Sequence, residues 1–353
     1  MEKLIDCLVE DPEISKLFSI DAELQSMIDV EAALAFAQKE TGFIPEAHGT
    51  YLEKLYAGFK PDVAAIKQAM QRDGVPVPEL VKQLRKKAET PFDTSIHKGS
   101  TSQDIVDTAL MLRLKRVFKR LEQSLSIILE LLEDLVKRYG TQTYIAHTRM
   151  QIARTMTVSD KLSSWKNALL ADQSRLSHAQ STFFIVQTGG AIGNNSDFGV
   201  KNRDIVRLMA EKLDLNYGNS WQTDRSRIID IAETFCLIAG TLGKIGQDIV
   251  LMAQNEVHAI ALAKSGTSSA MPHKNNPVKA EILVSIARLQ AGLLGTIAQS
   301  LIHENERSGA AWSLEWLVLP QMAVTSGGAL LELRQLMETM SFQEVRISYS
   351  LSR

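Results

Sequence analysis

Apolar residues recur at helical spacing along most of the chain, and the longest seam covers about residues 223–263. Within it Ile228, Phe235, Leu242 and Ile249 repeat every seven positions, and Ile231, Ile238, Ile245 and Met252 form a second row three positions later. Two such rows predict a long helix packed inside a bundle. A second long helix is expected from Thr101-Ser-Gln-Asp104, where Thr101 suits an N-cap and Asp104 suits the positive first turn. It continues through Leu114, Leu121, Ile128 and Leu135, interleaved with Met111, Phe118, Leu125 and Leu132, and Gly140 ends it. At 1.5 Å per residue these helices reach on the order of 50 to 60 Å, more than one compact domain needs, so their outer faces are expected to pack against other subunits.

Before Pro91 the pattern shortens to helices broken by Gly42, Pro45, Pro61 and Gly74-Val-Pro-Val-Pro78. The expected organisation is an N-terminal helical domain over 1–95, a long-helix bundle over 96–338 and a short C-terminal remnant over 339–353. Thr182-Phe-Phe-Ile-Val-Gln187 is the best strand candidate and reads equally well as a helix end. The fold class expected is all-α.

Composition narrows the function. Lys and Arg total 39 against 41 for Asp and Glu, so the net charge of −2 gives no general attraction to nucleic acid or an anionic membrane, and any anion site must be local. Cys7 and Cys236 stand alone, which argues against a disulfide framework or a thiolate zinc site and suits a reducing cytoplasm. Glu2, Asp6 and Glu10 do not fit a signal peptide, and no uninterrupted apolar run approaches the roughly 18 residues of a membrane span. A cytoplasmic protein is expected.

Three polar segments punctuate the long helices, and in an antiparallel bundle their ends can converge on one cleft. His97-Lys-Gly-Ser-Thr-Ser-Gln-Asp104 sets hydroxyls and backbone amides at a helix N-terminus, a natural seat for a carboxylate, although Ser/Thr caps are ordinary features. Ala146-His-Thr-Arg-Met-Gln151 leads into another helix, and taken alone His147 and Arg149 read as solvated surface residues. Ser265-Gly-Thr-Ser-Ser-Ala-Met-Pro-His-Lys-Asn-Asn-Pro277 is a long loop between two long helices. Gly266 and its small neighbours permit closure over a ligand; Lys274 offers charge and Asn276 a donor. Ser268 and Ser269 are poor acids or bases unless a cation or amides stabilise the alkoxide.

In order and content the three segments resemble the signature regions of the fumarase/aspartase superfamily, most specifically Ser268-Ser-Ala-Met-Pro-His-Lys-Asn-Asn-Pro277. The likeness covers nearly the whole chain, including Glu31-Ala-Ala-Leu-Ala35. It implies a homotetramer with a 20-helix core, active sites shared between subunits, a small-molecule substrate, and no metal or other cofactor. It also implies Ser268 as the acid/base, with Lys274 a catalytic cation that binds a substrate carboxylate alongside His97, Thr101, Ser102, Gln151 and Asn276.

Within the superfamily, His97 to Thr108, Gly240 to Gly246 with Asp248, and Ala311-Trp-Ser-Leu-Glu-Trp-Leu-Val-Leu-Pro-Gln321 most resemble its cycloisomerase branch. Trp221-Gln-Thr-Asp-Arg-Ser-Arg227 resembles it too, with Ser226 in place of the usual acid, and adds Arg225 to the substrate-binding candidates. In the lyases the second region carries a catalytic His, where this chain has Arg149; His147 falls on the family's Arg. Arg149 is expected either to clamp a substrate carboxylate or to pair with Glu281, and neither arrangement supplies a group titrating near pH 7. Asn194 replaces the usual Thr in Gly189-Gly-Ala-Ile-Gly-Asn194, and the superfamily's small C-terminal domain is largely missing. The reaction implied is intramolecular addition of a carboxylate of a tricarboxylate across a conjugated double bond. The alternatives are a fumarate-releasing lyase such as adenylosuccinate lyase, and a non-catalytic crystallin-like relative.

Overall fold

The computed structural model describes residues 3–263, 266–267, 271 and 275–344. Six helices come first: α1 (Asp6–Val9), α2 (Pro12–Leu17), α3 (Ile20–Glu40), α4 (Glu46–Gly58), α5 (Val63–Asp73) and α6 (Val77–Lys87). Their ends follow the Pro and Gly positions of the sequence; Gly74, for example, takes φ 70° where α5 stops. The long elements follow as α7 (Ser102–Tyr139), the hairpin β1 (Thr143–Thr148) and β2 (Gln151–Thr157), α8 (Val158–Thr182), α9 (Asn202–Leu213) and α10 (Ser226–Met252). Then come β3 (Ile260–Leu262), β4 (Gly266–Thr267), β5 (Asn275–Asn276), α11 (Val278–Ile297), α12 (Gly309–Thr339) and β6 (Met340–Phe342). The all-α class holds, since the strands described form only two-stranded ladders.

Both apolar rows of α7 and both of α10 are buried, and these helices pack with α8, α11 and α12 into a bundle. At about 1.5 to 3 kcal/mol for each large apolar side chain, burial along these seams is the main force behind the helices, which need no exceptional intrinsic propensity. The tightest meeting is α10 on α11. A Cβ on Gly243 would fall 2.4 Å from the Ala287 Cβ, and one on Gly246 would fall 2.7 Å from the Ala280 carbonyl oxygen. The N-terminal helices join the same core, with α3 packed on α7 and α9 and α2 on α12.

Three expectations change. The seam expected over 223–263 is helical only to Met252, because Gln254 to Ala259 turn the chain, with His258 at φ 45°, and β3 then pairs with β6. Residues 143–157, rich in Thr and Ile, form the β1–β2 hairpin before α8 instead of leading directly into a helix. Its two-residue turn places Arg149 at φ 48° and Met150 at φ 66°, the left-handed geometry that tight hairpins use. Thr182 ends α8, and Ile185 makes only an isolated bridge to Asn216.

The third change concerns Arg225. Its guanidinium lies fully buried at the start of α10 between Asp107 of α7, at 2.7 and 3.2 Å, and Glu315 of α12, at 2.9 and 2.6 Å. Asp107 also accepts from Trp312 Nε1 at 2.9 Å and Gln103 Nε2 at 3.1 Å. Arg225 is therefore saturated by protein carboxylates and ties three helix N-termini together; it is not free to receive a substrate.

Two carboxylates share this one buried guanidinium. Burial pushes the Glu315 carboxyl up to about 7, with Arg225 pulling it down and the Asp107 charge adding to the rise. Because that folded value lies above the ordinary 4.5, protonation favours the folded state. The contribution is present at low pH and is lost as pH rises through about 7. Glu315→Gln is expected to flatten this part of the stability–pH curve, followed by urea unfolding between pH 4.5 and 7.5. Arg225→Met, which strands both carboxylates, should cost about 3 to 5 kcal/mol at neutral pH; a loss under 1 kcal/mol would show that the node carries little of the fold.

Candidate active site

The N-terminus of α7 is the best-built polar site among the described residues. Thr101 is its N-cap, and the Asp104 carboxylate accepts from the Thr101 N–H at 3.0 Å and the Ser100 hydroxyl at 3.2 Å. Asp104 does more than complement the helix dipole. It also accepts from the Gly189 and Gly190 amides at 2.7 and 3.0 Å, which anchors the Gly-rich turn singled out in the sequence against this helix start. Burial raises the Asp104 carboxyl to about 6 despite these donors.

Arg307, in the segment before α12, donates from Nη2 to Thr101 Oγ1 at 3.0 Å and from Nε to Gln103 Oε1 at 3.1 Å. It is exposed and among the described residues pairs with no carboxylate, so its charge is available beside Thr101 and Ser102. Sequence reasoning passed over Arg307; the polar run Glu304-Asn-Glu-Arg-Ser308, opening a long helix, was the signal for it.

His97 completes this mouth. Its backbone sits at φ 58°, and its Nδ1 lies 2.5 Å from Glu31 Oε1 on α3. Burial pulls the imidazole pKa down, but the Glu31 charge and hydrogen bond outweigh this and hold it above its ordinary value. The arrangement thus offers a guanidinium, an imidazolium-favouring histidine, two hydroxyls and a helix N-terminus, all suited to anionic oxygens.

The other two segments lie elsewhere. His147, Arg149 and Gln151 are exposed around the tip of the β1–β2 hairpin, which follows the C-terminus of α7, and His147 Nδ1 lies 3.1 Å from the Ile145 carbonyl oxygen. Glu281, in the first turn of α11, is exposed as well, and among the described residues it does not pair with Arg149. Asn276 belongs to the β4–β5 ladder, where it pairs with Gly266 and closes the base of the long loop. A Cβ on Gly266 would fall 2.6 Å from Val278 Cγ2, so the ladder requires glycine there. Ser268, Ser269 and Lys274 lie outside the described residues.

A cavity of about 460 Å³ beside the ladder is lined by Leu8, Leu262, Leu336, Val278 and Lys279 among others, with Lys279 tied to Glu332 at 2.7 Å. Its walls are mainly apolar, so it is a poor seat for a polycarboxylate.

Within one protomer the mouth lies away from the hairpin and the β4–β5 ladder. The mouth sits where α7, α10 and α12 begin, whereas the hairpin and ladder sit near where α7 and α10 end. Tyr139 near the end of α7 packs on Phe342 after α12, and Lys161 links Tyr144 of the hairpin to Asp248 near the end of α10. The 27 residues of α10 separate the two ends by about 40 Å.

The chain matches the family model described as lyase over residues 9–291. It is 33% identical to 3-carboxy-cis,cis-muconate cycloisomerase of Pseudomonas aeruginosa, over 95% of this chain and 74% of that protein. It is 31% identical to the Pseudomonas putida protein of the same name, over 99% of this chain and 84% of the relative. The crystal structure of 3-carboxy-cis,cis-muconate lactonizing enzyme from Pseudomonas putida superposes with a TM-score of 0.90, covering 97% of this chain and 78% of that one at 31% identity. Sequence signatures, fold and relatives agree, and the chain belongs to the lyase family of the fumarase/aspartase superfamily, in which 3-carboxy-cis,cis-muconate cycloisomerases are its similar members.

Proposed function

We propose that this protein is a cycloisomerase that converts 3-carboxy-cis,cis-muconate to 4-carboxymuconolactone in the protocatechuate branch of aromatic breakdown. The observation that carries the reading is the cationic mouth at the start of α7, where Arg307 and His97 flank Thr101 and Ser102. A tricarboxylate brings three negative charges into a site, and such a mouth holds part of that charge with fixed donors rather than reorienting water. The similarity to enzymes named for this reaction supports the substrate.

In the reaction one substrate carboxylate oxygen attacks the conjugated alkene and forms the C–O bond of the lactone. The alkene electron pair moves toward the neighbouring carboxylate as an aci-carboxylate dianion, and a proton delivered to the α carbon completes the addition. Atoms balance without water, oxidant or cofactor. Ser268 is assigned the proton, Lys274 and Asn276 the developing charge, and Thr101, Ser102, Arg149 and Gln151 the remaining carboxylates. Ser269, His147 and Glu281 are given no chemical step.

The mouth lies at the opposite end of the protomer from the hairpin and the β4–β5 ladder, so a complete site combines the mouth of one subunit with the hairpin and ladder end of others. The surface supports such an assembly. Residues 278–301 form a stretch long and apolar enough by length and composition to cross a membrane, and 28% of its most apolar part is buried in the protomer. Leu289, Ile302 and Leu317 are also exposed. Apolar surface of this extent is suited to subunit contact, as in a homotetramer of a soluble, cytoplasmic enzyme.

Loss of conjugated-diene absorbance on adding 3-carboxymuconate tests the assignment; no loss, with fumarate released from adenylosuccinate, would reverse it. Ser268→Ala should leave the fold intact and lower kcat by about 10² to 10⁴, and near-normal turnover eliminates Ser268 as the proton donor. Arg307→Met should raise KM by about 10- to 100-fold, the worth of a charged hydrogen bond. An unchanged KM would remove Arg307 from the substrate site.

A further inference from the structure

Glu31 is fully buried on α3, yet it is charged chemistry in the middle of an apolar helix face. One of its oxygens holds His97 Nδ1 at 2.5 Å, and the other, also buried, has no hydrogen-bond partner among the described residues. A carboxylate desolvated in this way is costly unless its charge is balanced, and among the described residues His97 is the group bonded to it.

The backbone on either side of His97 is clamped as well. Gln38, two helical turns beyond Glu31 on α3, donates to the Lys98 carbonyl at 2.6 Å, and Arg85 of α6 donates to the Ile96 carbonyl at 3.1 Å. These contacts hold His97 at φ 58°, a left-handed conformation that a non-glycine residue rarely adopts. The ring is 15% exposed, and among the described residues its Nε2 has no partner. Among the described residues the ring's hydrogen bond is thus on its Nδ1 side, and the opposite nitrogen is open to a ligand.

We propose that Glu31 is a positioning residue for substrate binding: its buried carboxylate holds His97 as a charge-paired imidazolium with Nδ1 tied inward and Nε2–H presented to a substrate carboxylate. The inference deepens the function proposed above and rests on it for the identity of the ligand. The charged groups facing the ring are Glu31 on α3, Asp104 on α7 and Arg85 on α6, while Tyr56 on α4, its hydroxyl buried without a partner, faces Glu31. Both carboxylates favour the charged ring and Arg85 opposes it.

The sign of the pH effect follows. Substrate binding needs the protonated ring, so kcat/KM falls as pH rises through the His97 midpoint. Glu31→Gln keeps an acceptor for Nδ1–H and removes the charge, so it should move that midpoint down by about one pH unit or more. At a pH between the old and new midpoints kcat/KM should fall about tenfold, chiefly through KM, and recover on acidification.

The test pairs two readouts on the intact enzyme: the His97 titration by NMR, assigned with His97→Gln, and the pH profile of kcat/KM for 3-carboxymuconate. A wild-type midpoint above that of an ordinary histidine, shifted down with the kinetic limb in Glu31→Gln, supports the proposal. A wild-type midpoint at or below the ordinary value overturns it, and this arm needs no variant to fold. A titration that moves while the KM profile stays fixed overturns the substrate role. If the wild type does not turn over the diene, the assigned reaction fails, and the titration alone then supports or overturns the Glu31–His97 pair.

Discussion

The ion-pair node of Asp107, Arg225 and Glu315 is the constraint on which the working end of the molecule depends. Each member comes from a different long helix or its cap, and bidentate geometry on both sides of the guanidinium fixes angles as well as distances. Apolar seams can slide by a helical turn at modest cost, because one row of Leu and Ile resembles the next. A saturated buried guanidinium cannot, since any slip leaves charge unpaired in a low-dielectric interior. The node therefore sets the register in which Thr101, nearly two turns before Asp107, meets Arg307, about two turns before Glu315.

That register produces a division of labour. Next to the node, the same polar chain continues outward through Gln103 to Arg307 and Thr101, passing from fully buried to exposed over a few residues. The buried part has more acid than base, so burial together with the Asp107 charge raises the Glu315 carboxyl, while the exposed rim carries the Arg307 cation. The rim thus presents donors where an anionic substrate is proposed to bind. The surplus acid behind it is compensated by Arg225 and kept from solvent.

The length of the bundle has a functional consequence. A helix of about 40 Å separates the mouth from the β4–β5 ladder, and close packing at Gly243 and Gly246 fixes α10 against α11. Long helices that leave apolar stripes unburied favour assembly, and the proposed site shared between subunits would draw on the same exposed helix faces.

By itself the sequence determined the long helices, through two apolar rows whose every member is buried, and the capped start of α7, through Thr101 and Asp104. It also determined the superfamily, because the Ser268 to Pro277 string is specific as a linear motif. Local pattern was misleading at residues 143–157, where Thr and Ile next to a polar turn favoured a hairpin, and beyond Met252, where apolar spacing continued after the helix had ended. Only the tertiary structure decided what the polar residues do. Arg225 resembles a substrate ligand in sequence, yet carboxylates from residues 107 and 315 enclose it. Glu31 looks like part of a helix motif, yet it faces His97 across 66 positions of chain. Hydrophobic periodicity is a property of neighbours along the chain, whereas the fate of a charge depends on which distant group shares its desolvated space, and only folding settles that.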